Sequence, residues 1–294
     1  MELYNIKYVL AIAEFGNLSS AAAACHVSQP TLSQQLSKLE KELGISLFFR
    51  TPRGVTLTEA GEAFVRSARE IVQKSEALEA EMASFAGLKK GTLGLGTITS
   101  LRCIDFGGLL SAFCEKYPDV SVNIMQGGTY PLIDMVDDHR IDTAIISIPR
   151  SGVPHGFECI KLSEDFYCVA VPAGHRLAKK KELSLKDLQG EKMICHPSTT
   201  VAADLINDAC ESAGFFPNAT CISYSPTTTI SMVRGGMGIA LLPSEEFISQ
   251  SKEGVKKLLL KEKITKEVGI VWKKDAASLL VSIFVEFAKN WTHS

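Results

Sequence analysis

Apolar positions recur at helical spacing from the start of the chain. Ile6, Val9, Leu10 and Ala13 mark one face of a first helix, which Gly16-Asn17 ends. The run SAAAAC predicts a second helix, capped by Ser19 or Ser20, whose small side chains allow close packing. His26-Val27 makes a turn. Ser28 then caps a third helix, with Pro30 in the first turn, where a missing N–H does no harm. In this helix Leu32, Leu36, Leu39 and Leu43 share one face, and Pro30, Gln34, Ser37 and Lys41 lie opposite, flanked by Thr31, Ser33 and Lys38. The next segment, LFFRTPRGVTLT, turns at Pro52-Arg53-Gly54 between two short alternating runs and reads as a hairpin.

A long helix follows, with Thr58 as its cap and Glu59 and Glu62 near its positive end. Phe64, Ala68, Ile71, Ser75, Leu78, Met82 and Phe85 follow each other at spacings of four and three, a heptad seam. Packing against the chain's own domain is the plain alternative. The polar flanks favour an exposed helix that pairs with a second copy, with Phe64, Ala68, Ile71, Leu78, Met82 and Phe85 as the pairing residues.

Beyond Leu88-Lys89-Lys90-Gly91 the pattern changes to alternating strands and helices. TLGLGTI, VSVNIMQ and IDTAIISI read as strands, separated by helices at FGGLLSAFCEKYP and PLIDMVDDH. FYCVAVPAGH begins a second set of the same kind. KEVGIVWKK and AASLLVSIFVEFAKNW close the chain with a strand and an amphipathic helix. A two-lobed α/β architecture with a largely parallel sheet is expected. The glycines at 91, 94 and 96 do not make a GxGxxG turn, so no dinucleotide site is expected.

The outer face of the third helix carries the clearest chemistry. It is small, polar and almost free of acids, whereas a merely solvated helix face usually carries Glu and Lys. Gln can pair with adenine, Ser and Thr with bases or phosphates, and a Pro or Thr methyl can touch a thymine methyl. Arg50 and Arg53, near the tip of the hairpin, suit phosphate or minor-groove contact. Two short helices, a tight turn and a basic hairpin make the plan of a winged helix-turn-helix.

The stretch FGNLSSAAAACHVSQPTLSQQLSKLEKELGISLFFRTPRGVTLTEAG resembles the N-terminal domain of LysR-type transcriptional regulators and matches nearly every position of that signature. The resemblance implies DNA contacts at Gln29, Pro30, Thr31, Ser33, Gln34, Arg50 and Arg53, to which Lys38 is added from the outer face. Gln34 departs from the arginine that many members carry there, and base preference should differ at that point. More loosely, residues 91–294 resemble the family's effector domain, a type 2 periplasmic-binding-protein fold, through FCEKYPDVSVNI, IDTAIIS, VPAGHRLA and VRGGMGIALLP. The expected organisation is a winged helix-turn-helix over 1–58 and a dimerising helix over 59–88. Lobe I follows over 91–162 and 267–294, and lobe II over 163–266. The resemblance further implies double-stranded promoter DNA, a small-molecule effector and a homodimer or homotetramer, with RNA polymerase admitted as a further partner.

In such a fold a ligand lies between the lobes, near strand ends and helix N-termini. Thr99 and Ser100, Thr129, Ser147, Ser198 and Thr199, and Thr227 are the effector-binding candidates. Their hydroxyls, with nearby N–H groups, suit a small carboxylate. The plain alternative is that they are ordinary caps and turn residues.

Composition narrows the alternatives. The chain of 294 residues is 46% hydrophobic and 22% charged, as expected for folded soluble protein. Its net charge of −2 gives no bulk attraction to nucleic acid. Residues 1–58 carry one net positive charge, from Lys7, Lys38, Lys41, Arg50 and Arg53 against four glutamates. DNA binding must then come from local placement of charge and from pairing of two heads. The N-terminus reads as a poor signal peptide and no run approaches a membrane span, so a cytoplasmic protein with no membrane partner is expected. The 8 cysteines include no CxxC pair and no zinc-finger spacing. They read as reduced, mostly buried thiols, with Cys103, Cys195 and Cys221 near the cleft as the basis of an alternative, thiol-responsive regulator. No metal or cofactor is expected. A solute-binding protein or an enzyme on the same lobes is less favoured, because no export signal and no catalytic constellation stands out.

Overall fold

Gly16 ends the first helix, α1 (Leu3–Phe15), by taking a left-handed φ of 65°. The computed structural model describes residues 1–51, 54–85, 90–247, 254–276 and 278–291. The second helix, α2 (Leu18–Ala24), is capped by Asn17, whose side chain accepts from the Ser20 N–H at 2.7 Å. This corrects the expected cap at Ser19 or Ser20. Asn17 is the residue with extended backbone, and the two serines already lie in the first turn. Ser28 caps α3 (Gln29–Leu43), accepting from the Thr31 N–H at 3.2 Å. Leu32, Leu36 and Leu39 pack with Val9, Ile12, Ala21 and Leu47 in one core. Leu43 is 40% exposed, because the last turn of α3 runs past that core.

The hairpin strands β1 (Phe48–Thr51) and β2 (Gly54–Leu57) pair antiparallel, with Phe48 opposite Leu57. Two contacts hold this wing to the helices. Val55 N–H donates to the Gly16 carbonyl at 2.9 Å, and the Glu40 side chain accepts from the Leu47 N–H at 2.7 Å. Position 54 requires glycine. Its φ is 138°, and a Cβ there would lie 2.3 Å from the Gly16 carbonyl oxygen. Thr58 starts α4 (Glu59–Phe85), accepting from the Gly61 N–H at 2.9 Å and donating to the Ser46 carbonyl at 2.8 Å.

The chain divides into two compact units that change over near residue 88. In the second, β3 (Gly91–Thr97), α5 (Phe106–Lys116), β4 (Val120–Gln126), α6 (Thr129–Asp137) and β5 (Thr143–Ser147) form an α/β run in which β3 pairs parallel with both β4 and β5. Then comes β6 (Phe157–Pro172), 16 residues long, and after it β7 (Glu182–Leu183), β8 (Lys192–Cys195), α7 (Val201–Ser212), β9 (Asn218–Ile222), α8 (Pro226–Arg234), β10 (Ala240–Pro243) and β11 (Val255–Leu260). The chain returns along β12 (Thr265–Lys273) and ends in α9 (Leu279–Trp291).

The expected largely parallel sheet is corrected to a mixed one. β12 pairs antiparallel with β5 and β6, and β6 pairs antiparallel with β10 and β11. The cause is the length of β6. One strand belongs first to one lobe and then to the other, so its neighbours must run back along it. The apolar clusters record the same change. Leu93 to Leu162 and Val268 to Ala288 pack around Phe113 and Phe284, whose rings meet edge-on at 5.0 Å. Tyr167 to Ile264 form the second core.

Candidate functional site

Two places concentrate the predicted residues. The first is the outer face of α3. Gln29, Pro30, Thr31, Gln34 and Lys38 are exposed, and Ser33 is half-buried beside them. The Thr31 hydroxyl is engaged with the Ser28 hydroxyl at 2.7 Å, so it reinforces the cap. Arg50 is exposed on β1. Arg53 lies outside the described residues. One acid of this helix, Glu40, turns inward to the wing rather than standing among the polar residues.

The heptad positions of α4 divide. Phe64 packs against the helix-turn-helix core, and Ala68 is buried at 2% exposure. Both are therefore occupied within their own chain. Ile71, Leu78 and Met82 are 44%, 56% and 51% exposed, an unusual density of apolar surface on one helix face. Lys7 of α1 approaches Glu76 at 3.8 Å on the same helix. The side chain of Phe85 lies outside the described ones.

The second place is a small cleft, with about 40 Å³ of space open to a water-sized sphere. Of the candidates, Thr99, Ser100, Thr129 and Ser147 line it. Ser198, Thr199 and Thr227 do not line it. The Thr199 hydroxyl instead bonds the Tyr224 hydroxyl at 2.6 Å. The N-terminus of α7 still reaches the cleft through its cap, Thr200, with Val201 and Ala202. Lys266, Tyr167, His196 and Tyr224 also line it, and the sequence did not mark them as site residues.

Several bonds cross from one lobe to the other at this cleft. Thr99 donates to the Tyr224 carbonyl at 2.9 Å. The Tyr130 hydroxyl bonds the Asp204 carboxylate. Burial, helped by that carboxylate, pushes the Tyr130 phenol up to about 12. Within the first lobe, the Thr129 hydroxyl donates to the Ser147 carbonyl at 3.4 Å.

At the floor of the cleft, polar and charged groups are packed closely. The Lys266 ammonium donates to the Ser100 carbonyl at 2.6 Å and to its hydroxyl at 3.0 Å. Ser100 donates onward to Glu246 at 2.9 Å. The His196 Nε2 stands 2.9 Å from the Leu241 carbonyl, which fixes the proton on that nitrogen. Burial draws the Lys266 ammonium and the His196 ring below their ordinary ranges.

Cys103, Cys195 and Cys221 are not among the cleft-lining residues. Burial raises the thiols of Cys25, Cys103 and Cys195, and carries Cys159 and Cys210 to about 11 and Cys168 to about 12. Among the described residues no group of three His, Cys, Asp or Glu side chains could hold a metal. No described helix is long and apolar enough to cross a membrane.

Comparison with known proteins covers both units. The family described as LysR substrate binding domain matches residues 86–292, and the lysR family of bacterial regulatory helix-turn-helix proteins matches residues 3–62. A hydrogen peroxide-inducible genes activator of Dickeya chrysanthemi is 31% identical over 245 residues, 83% of this chain and 79% of that protein. The transcriptional dual regulator GltC of Bacillus subtilis is 30% identical over 280 residues, 94% of this chain and 92% of that protein. A variant of full-length OxyR from Pseudomonas aeruginosa shares the fold, with a TM-score of 0.75 at 24% identity over 100% of this chain and 95% of that one. With one family match on the helix-turn-helix and another over most of the remaining chain, the protein belongs to the LysR family of transcriptional regulators.

Proposed function

We propose that this regulator binds promoter DNA through the outer face of α3 and the wing, and that a small carboxylate in the cleft of the second unit controls the outcome. The observation that carries the reading is the pairing of two surfaces in one chain. One is an exposed, nearly acid-free helix face with amide and hydroxyl groups; the other is a hydroxyl-lined cleft with a single cationic side chain, Lys266. Gln29, Pro30, Thr31, Ser33, Gln34, Lys38, Arg50 and Arg53 are the DNA-facing residues in this reading. Thr99, Ser100, Thr129 and Ser147 hold the effector, with Thr200 taking the role assigned to its neighbours Ser198 and Thr199. Ile71, Leu78 and Met82 pair two copies, which gives the weakly charged head its avidity.

The chain acts by binding rather than by turnover, and its place of work is the cytoplasm, where the promoter is. Peroxide sensing, suggested by the name of one relative, the Dickeya chrysanthemi activator, needs a thiol poised as thiolate. Every resolved thiol shift here is upward, which favours the ligand reading.

The test is a mobility-shift assay on the DNA flanking the protein's own gene, with and without small carboxylates. Sequence-selective binding that a carboxylate alters is the expected result. Equal affinity for unrelated DNA at moderate salt would sink the reading.

A further inference from the structure

Lys266 and Tyr167 lie on the two strands that carry the chain between the lobes, and both line the cleft. Each is 2% exposed. The Lys266 ammonium places two of its three N–H groups on Ser100, at 2.6 Å and 3.0 Å. The buried acids around it are already engaged. Asp165 accepts from the Phe166 and Glu245 N–H groups at 2.7 Å and 3.1 Å. Glu246 accepts from Ser100 at 2.9 Å and faces Arg102 at 3.8 Å. The Tyr167 hydroxyl has no partner among the described residues. Burial and the neighbouring Asp165 push its phenol far up, so at neutral pH it is a protonated donor. The floor of the cleft thus offers two donors, and a buried donor left unsatisfied costs about 1–3 kcal/mol.

We infer that the effector's carboxylate sits on this floor, with one oxygen on the third N–H of Lys266 and the other on the Tyr167 hydroxyl. The inference rests on the reading of the cleft as the effector site. It makes these two residues the ones that select an anionic head group, while Thr129 and Ser147 face the rest of the molecule. A carboxylate supplies one charge and two acceptor oxygens, which matches one ammonium and one phenol. A phosphate would bring further charge to a lining whose one cationic side chain is Lys266.

Thermal melting of the full chain in sodium acetate and in acetamide, at ionic strength held constant with sodium chloride, tests this. Acetate should raise the melting temperature and acetamide should not. Tyr167→Phe removes only a hydroxyl without a protein partner, so it should fold and bind acetate about tenfold more weakly. Lys266→Gln should abolish the acetate response; if that variant does not fold, Tyr167→Phe decides alone. No shift with acetate, an equal shift with acetamide, or an undiminished response in Tyr167→Phe overturns the inference. The two readings fail separately. Acetate bound in this way without any ligand altering the DNA complex would count against the regulatory reading alone. A regulatory ligand that Tyr167→Phe and Lys266→Gln bind at full strength would overturn this inference alone.

Discussion

The Thr199 carbonyl oxygen stands 2.4 Å from the point where a Cβ on Gly128 would lie. Here the loop after β4 and the segment before α7 meet backbone to backbone, and the Tyr130 N–H reaches the same Thr199 carbonyl at 3.4 Å. Neither wall can yield by rotating a side chain. Gly128→Ala should therefore part the two lobes at the cleft mouth and strain the Thr99–Tyr224 and Tyr130–Asp204 bonds. The expected cost is about 1–3 kcal/mol, the usual range for an overpacked contact. Thermal melting would read that loss. In a DNA-shift titration the variant should need more ligand than the unsubstituted chain for the same response.

The ring of His196 sets a pH dependence. Burial lowers its proton affinity from the ordinary 6.5, and Lys266 adds to the effect, while the Leu241 carbonyl opposes both. In the unfolded chain the ring takes a proton as pH falls through 6.5; in the folded chain it stays neutral. The unfolded state then binds more protons, so stability declines as pH drops below 6.5, until the folded ring also titrates. His196→Gln should make that decline shallower. Melting curves taken between about pH 7.5 and 5 would check it, and identical slopes for the two proteins would refute the assignment.

How much of this was legible in the sequence varied from element to element. The face of α3 was readable because helical spacing separates Leu32, Leu36 and Leu39 from Gln34 and Lys38 without reference to anything distant. Leu43 follows the same spacing and is exposed, because the pattern cannot say where the core stops. Thr99, Ser100, Thr129 and Ser147 were readable as hydroxyls at strand ends. Tyr167 was not, since it sits in the run FYCVAVP and looks like core. Lys266 was not, since it stands beside Glu267 and looks like surface. What brings residues 100, 167 and 266 together is the length of β6 and its antiparallel partner β12, and that pairing has no local signal. The missed strand β11 has the same explanation: its VKKLLL reads as polar at one end, and only its register against Val169 to Pro172 defines it.

Gln34 and Lys38 lie one turn apart on the exposed face of α3, and they should behave differently on DNA. An amide that pairs with a base edge discriminates sequence, whereas an ammonium on a phosphate does not. Gln34→Ala should cost about 1–3 kcal/mol on the preferred site and relax selection at one base pair. Lys38→Ala should weaken all sequences alike and reduce the slope of log affinity against log salt by about one. Binding measured on a set of single-base variants of the site, at two or more salt concentrations, separates the two. Equal loss across all sequences for Gln34→Ala would remove that residue from base readout.

Helix α4 carries apolar positions with two different duties, and substitutions should separate them. Phe64 and Ala68 share the heptad spacing of Leu78, but they are covered by their own chain, whereas Leu78 is 56% exposed. A charge at Leu78 disturbs nothing within the first unit. It would, however, be buried without a partner in a paired seam, at a cost of several kcal/mol. Leu78→Glu should therefore leave the melting of the chain near its original value at low concentration while shifting its sedimentation toward the monomer. Because each head has little net positive charge, the monomer should lose at least about a hundredfold in affinity for a two-fold DNA site. The control runs the other way. Leu39→Ala, in the core at 1% exposure, should cost about 2–5 kcal/mol of stability. At temperatures where it is folded it should sediment like the unsubstituted chain. If Leu78→Glu also keeps the sedimentation of the unsubstituted chain, the seam at 71–82 does not pair two copies, and the exposed face of α4 serves some other contact.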